Sequence, residues 1–373
     1  MTMEDLLAIP DVDPIPLPAP VWLLKALLLL TFLLHIIPMN LVLGGGLTSL
    51  VTEVLGRRRG SDNHLRLARS FARMIPVAVA FAITLGVAPL LFLQVLYGQL
   101  FYTSTILMAW PWLAVIGLII LGYYGFYLYS YKWETLHGAR LWVVLGSAVL
   151  FLAVALIYSN ATTLMLRPEG FATRYLTAGA GSHWNFGEAT AIPRYLHFVV
   201  ASFAVTGLFV TIYALGQLRK DEGYGRWALR YGASWFGVAT AVQMGIGVWF
   251  LVALPRDVML LFMGGSILAT VLLGLGIMLP IVSLMLVLLG SRAPRPQPMV
   301  WSGIGTLAVT LVVMVLIRDF VRDGYLAGRF DVMNRATDPQ WAVIAVFAVV
   351  LLGGLGTVGY LVRKATAPAT EAG

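Results

Sequence analysis

Apolar residues run along this chain in long unbroken stretches, parted by short polar ones. Nine stretches can be drawn, at roughly 21–54, 74–98, 107–131, 141–165, 194–217, 230–254, 258–289, 299–318 and 341–362. At about 1.5 Å of rise per residue, each helix crosses a hydrocarbon core of about 30 Å. The strands of a membrane barrel would alternate over about 10 residues, and these stretches do not alternate. The pattern predicts an all-α polytopic membrane protein with about nine transmembrane helices. They form one transmembrane domain, 21–362, with a tail at 1–20 and another at 363–373. The first and seventh stretches are longer than a bilayer needs. They are expected to tilt, to kink at Pro38 or Pro280, or to project into water.

Composition agrees with this pattern. Of 373 residues, 60% are apolar and 11% charged, against roughly 25% charged in a soluble domain. The chain has no cysteine, which excludes disulfides, iron–sulfur clusters, thiolate zinc sites and covalent haem attachment within it. The net charge of +8 is distributed as a membrane topology signal, not as a nucleic-acid footprint. Alternate connections (56–73, 132–140, 217–230, 290–298 and the tail after Leu361) hold 16 of the 25 Lys and Arg. The positive-inside rule places them in the cytoplasm, the N-terminus outside and the C-terminus inside. The expected location is a bacterial or archaeal inner membrane. The first 20 residues carry Glu4, Asp5, Asp11 and Asp13 and no Lys or Arg, unlike a signal peptide. Two outer connections, 167–193 and 319–340, are long enough to cap a site or receive a partner.

Ionisable groups inside apolar spans are the main functional signal in a membrane protein. His35 lies in the first span and His197 in the first turns of the fifth; His64, His137 and His183 fall in connections and are expected to be solvated. No other strongly charged side chain stands out near mid-membrane. Two readings of the span histidines compete: a buried imidazole bonded to a neighbouring helix, or an axial ligand of haem iron. Small residues follow both positions (Gly44, Gly45 and Gly46; Ala201, Ser202 and Gly207) and leave room for a flat macrocycle. Paired histidines about 13 residues apart on one helix, as a four-helix two-haem cytochrome needs, are absent. The open alternatives are His–Met ligation, a haem with one ligand, or a His35–His197 pair. Met263, early in span seven, is the best methionine candidate. Arg318, Asp319 and Arg322 close span eight. They are either an interfacial cluster paired within itself, or arginines for haem propionates with Asp319 as oxygen ligand or their partner. Arg194, three residues before His197, fits a propionate by the same logic. Gly353–Gly359, within an apolar span, reads as helix packing and not as a phosphate cradle.

With these residues in place, the chain resembles cytochrome bd oxidase subunit I. The stretch Phe32-Leu33-Leu34-His35-Ile36-Ile37-Pro38-Met39-Asn40-Leu41-Val42-Leu43-Gly44 is similar to that family's first helix, whose histidine binds a high-spin haem. Arg194-Tyr195-Leu196-His197-Phe198-Val199-Val200-Ala201-Ser202 resembles its fifth helix, whose histidine binds the low-spin haem b. The resemblance implies Met263 as the opposite ligand of that haem. Asp319-Phe320-Val321-Arg322 falls where the family has a glutamate ligand three residues before an arginine, although the Gly-Arg-Gln-Pro-Trp run that follows there is missing. Two further departures bear on function. The quinol-binding loop between spans six and seven is reduced to about Pro255-Arg256-Asp257. The third span carries no carboxylate, and oxygen reduction consumes protons. The expectation is a subunit with one to three b-type haems that carries electrons in a respiratory complex. Its expected partners are other membrane subunits and, on the outer face, a c-type cytochrome or another redox protein. A terminal reductase of oxygen or nitric oxide with an open haem at His35 is the alternative, and a non-redox transporter the third class.

Overall fold

The computed structural model describes residues 15–177 and 180–366; the ends of both expected tails, 1–14 and 367–373, lie outside the described residues. In chain order the helices are α1 (Val21–Arg59), α2 (Asp62–Leu107), α3 (Ala109–Tyr131), α4 (Arg140–Met165), α5 (Phe171–Leu176) and α6 (Ala191–Gln217). They continue with α7 (Glu222–Ala253), α8 (Arg256–Leu260), α9 (Ile267–Arg292), α10 (Gln297–Leu326) and α11 (Trp341–Thr366). All except the short α5 and α8 are long and apolar enough to span a membrane, nine among the described residues. The protein is an all-α, multi-pass membrane bundle.

The apolar pattern located the spans but not their ends. The polar connection expected over 56–73 is a tight turn at Gly60 and Ser61. α1 continues through Arg57, Arg58 and Arg59, and α2 begins at Asp62. Arginine and leucine are good helix formers, so charge alone does not stop the helix. Gly60 does, with a left-handed φ of 58°. Beyond it Leu67, Ala68, Phe71 and Ala72 bury one face of α2. Span eight likewise runs past its expected end to Leu326. The backbone leaves helical values at Tyr97 in α2 and at Met263 and Gly264, not at Pro38 or Pro280.

Ties across connections mark two ends of the bundle. At the arginine-rich end Arg66 pairs with Asp221, Arg69 with Glu134, and Arg226 donates to the carbonyls of Ala293 and Pro294. At the opposite end the amide of Trp110 donates to the Gly181 carbonyl and that of His183 to Leu107, while Leu17 bridges to Thr337. The expected long connection 167–193 is therefore folded onto the bundle. α6 approaches both α1 and α7 closely. A side chain at Gly44 would strike the Ser202 carbonyl on α6, and one at Gly207 would strike the α7 backbone at Gly232 and Phe236. α11 is the exception. No neighbour lies near Gly353, Gly354, Gly356 or Gly359, so the glycine run expected to pack helices packs against nothing among the described residues.

Candidate functional site: two histidines in an under-packed layer

The helices carrying the two histidines are buried above and below them but not beside them. Among the described residues, none of 29–35 in α1, 83–88 in α2, 195–201 in α6 or 241–253 in α7 is buried. Buried residues resume on either side, at Leu28 and Ile36, Ala82 and Pro89, Arg194 and Ser202, and Thr240 and Leu254. Interiors are ordinarily close-packed; over this one layer the residues of all four helices stay at least partly accessible.

His35 is held from α2. Its Nδ1 lies 2.9 Å from the Ala82 carbonyl, and a carbonyl only accepts, so Nδ1 carries the proton. That tautomer leaves Nε2 with a free lone pair, the form in which imidazole binds a metal. The ring lies over Gly86, where an added Cβ would come within 2.8 Å of it. His197 faces α7: its carbonyl accepts from Gln243 Nε2 at 2.9 Å, and its ring lies 6.2 Å from that of Phe250. Its Nδ1 is buried with no hydrogen-bond partner.

The arginines converge on the same layer. The Arg318 guanidinium sits 3.9 Å above the Phe32 ring on α1 and 5.9 Å from that of Phe198 on α6. Its charge reaches His35, Arg322 and Arg194. Arg194 is buried 5.2 Å over Phe250, with Nε and Nη2 unpartnered. Asp319 pairs with Arg322 and also accepts from Lys25 at 3.0 Å, while Lys25 reaches Asp323 at 2.5 Å. Asp319 and Arg322 pair with each other and are both buried within α10. Arg322 Nε has no partner, and its guanidinium lies 4.5 Å over Tyr97, whose hydroxyl is also unpartnered. Nearby, Arg167 grips Glu188 with two nitrogens, at 2.8 and 3.1 Å, and this pair holds the Arg167 guanidinium above its ordinary value.

Met263 stands apart from these residues. It lies in the distorted turn between α8 and α9 and is 62% exposed. Two residues outside this layer correct expectations. His64 is not solvated but buried, bonded to Ser61 at 2.8 Å and edge-on to Trp227 and Tyr231. Glu53, which the sequence reading passed over, is fully buried; it accepts from Arg57, Arg140 and Tyr129. Its signal was available: it is the one acid in the first apolar stretch.

A haem fits this donor set. Four cations (Lys25, Arg194, Arg318, Arg322) meet two carboxylates (Asp319, Asp323), and propionates would offset the surplus. Unpartnered buried nitrogens ask for an acceptor. No three His, Asp or Glu side chains gather as a bare ion would require, among the described residues. An iron porphyrin brings its equatorial nitrogens and asks the protein for only one or two ligands.

Comparison with known proteins places the architecture. No family model and no curated sequence matches the chain. Among solved structures, a chain of the bd oxidase from Geobacillus thermodenitrificans superposes with a TM-score of 0.73 at 15% identity, over 95% of this chain and 100% of that one. The fold is that of a bd oxidase membrane subunit.

Proposed function

We propose that this chain is a b-type cytochrome subunit that carries electrons within a membrane respiratory complex. The observation that carries the reading is the under-packed layer flanked by His35 and His197 and rimmed by buried arginines with unpartnered nitrogens. Haem bound there supplies reversible one-electron chemistry at iron. The chain's part is to hold ligands, offset charge and exclude water. His35, held by Ala82 through Nδ1, would offer Nε2 to one haem. His197 and, if its turn brings the side chain inward, Met263 would hold a second haem. Arg194, Arg318 and Arg322 neutralise propionates, and Asp319 orients Arg322.

In this reading one to three b-type haems are bound, the arginine-rich end faces the cytoplasm and the transmembrane domain is a single unit. The segments 167–193 and 319–340 meet a c-type cytochrome or another redox protein outside, and other membrane subunits complete the assembly. The link between α7 and α8 is too short for a quinol-binding loop, which favours an electron carrier over a quinol oxidase.

The test is the reduced-minus-oxidised spectrum of purified protein. His197→Ala is expected to remove a low-spin signal while expression persists, and His35→Ala to alter a separate signal. Spectra unchanged in both variants overturn the reading. A haem with a vacant axial position and gas-dependent turnover moves it to a terminal reductase.

A further inference from the structure

Two concavities meet at one residue on the arginine-rich side of the histidine layer. The first, of about 590 Å³, opens at the arginine-rich end and is lined by Arg66, Arg69, Arg73 and Arg140 with Glu134, Trp133 and Tyr213. The second, about 440 Å³, is an apolar groove between α1 and α2, lined by Leu34, Pro38, Leu41, Val77, Phe81 and again Arg73. In the basin Arg66 is matched by Asp221, Arg69 by Glu134, and Arg140 shares Glu53 with Arg57. Five arginines thus face three carboxylates. Arg73 has no partner among the described residues, and it stands where the basin passes into the groove. The groove wall on α2 runs from Arg73 to Leu85, about 18 Å of helix at 1.5 Å per residue, close to one leaflet's share of a hydrocarbon core of about 30 Å. Leu34, Val77 and Phe81 are exposed along it, so it opens sideways, toward acyl chains.

We propose that this face binds one anionic phospholipid, its phosphate in the arginine basin beside Arg73 and one acyl chain in the groove. A surplus of cations selects the headgroup charge, and the adjoining apolar wall selects a ligand with a tail over free phosphate. The groove reaches the histidine layer at Leu34 and Leu85, but the lipid assignment requires no haem.

Native mass spectrometry of the full-length, delipidated protein tests it, with dioleoylphosphatidylglycerol, dioleoylphosphatidylcholine and inorganic phosphate as probes. The first phosphatidylglycerol is expected to bind at least about fivefold more tightly than phosphatidylcholine, the value of one arginine near a membrane surface. Arg73→Gln abolishes that preference, whereas Arg292→Gln, at the same end but outside the basin, preserves it. Val77→Trp, at a lipid-exposed wall position, fills the groove and weakens both lipids. Equal affinity for the two lipids, a preference that survives Arg73→Gln, one lost equally in Arg292→Gln, or lipid binding indifferent to Val77→Trp overturns the proposal. Binding of inorganic phosphate as tight as that of phosphatidylglycerol overturns the tail contact.

Discussion

The bundle holds two buried polar regions that differ in how fully their atoms are satisfied. At the arginine-rich end every charged group of the buried network is matched: Glu53 accepts from Arg57, Arg140 and Tyr129, Tyr129 meets Ser49 at 2.9 Å, and Thr52 meets Tyr231 at 2.8 Å, with one neutral hydroxyl, that of Thr48, left without a partner. At the histidine layer Arg194, His197, Arg322, Tyr97 and Gln243 each keep at least one buried atom without a partner. A fully satisfied buried network ties helices together; an unsatisfied one costs free energy unless something else completes it. The first region is therefore a clamp joining α1, α3 and α4, and the second has the character of a site. The same side-chain chemistry, arginine against acid inside the bundle, serves both.

The comparison breaks most readily at the clamp. Glu53→Ala leaves two arginines without their carboxylate, and breaking a buried pair costs about 3–5 kcal/mol. A large fall in thermal midpoint in detergent is expected; an unchanged midpoint would make Glu53 dispensable and erase the contrast. At the histidine layer the sign is split. Arg194→Met removes a buried cation with unpartnered nitrogens, so the haem-free protein is expected to gain about 1–3 kcal/mol while haem retention falls. Thermal melts with and without haem check both, and destabilisation of both forms would assign Arg194 to the frame. Gly86→Val pushes a side chain into the His35 ring. It is expected to shift the absorption assigned to His35 and to spare that lost in His197→Ala, which parallel spectra would reveal.

The smallest effect is at the surface. Asp221 caps α7 by accepting from the Tyr224 amide at 3.0 Å and pairs with Arg66; these contacts hold its carboxyl below the ordinary value of 3.8. Because the folded value is depressed, its contribution is complete at neutral pH and is lost as pH falls through that folded value. The melting difference between wild type and Asp221→Asn should therefore be constant from pH 7 to about 5 and vanish in stronger acid.

Continuous apolar runs made the nine spans legible, because a helix in lipid needs them whatever its neighbours are. Span ends were not, since arginines at 57–59 and 66–73 continue helices as well as they decorate loops. His35 and His197 stood out as the histidines of apolar stretches. Their surroundings did not: Ala82, Gly86, Gln243 and Phe250 come from other helices, and no spacing along the chain announces such a meeting. Glu53 sits near the end of the first apolar run, one turn before Arg57, and drew no reading; only packing reveals that α3 and α4 seal it. His64 was misjudged in the same way, its shelter being Trp227 and Tyr231, which lie far along the chain.

The central claim is that the layer between the histidines holds iron porphyrin. Pyridine haemochrome quantitation on the purified full-length protein, with its reduced-minus-oxidised spectrum, tests it most directly. The account predicts at least one b-type haem per chain and a low-spin signal that disappears in His197→Ala. A colourless, folded protein whose spectrum carries no haem would contradict it.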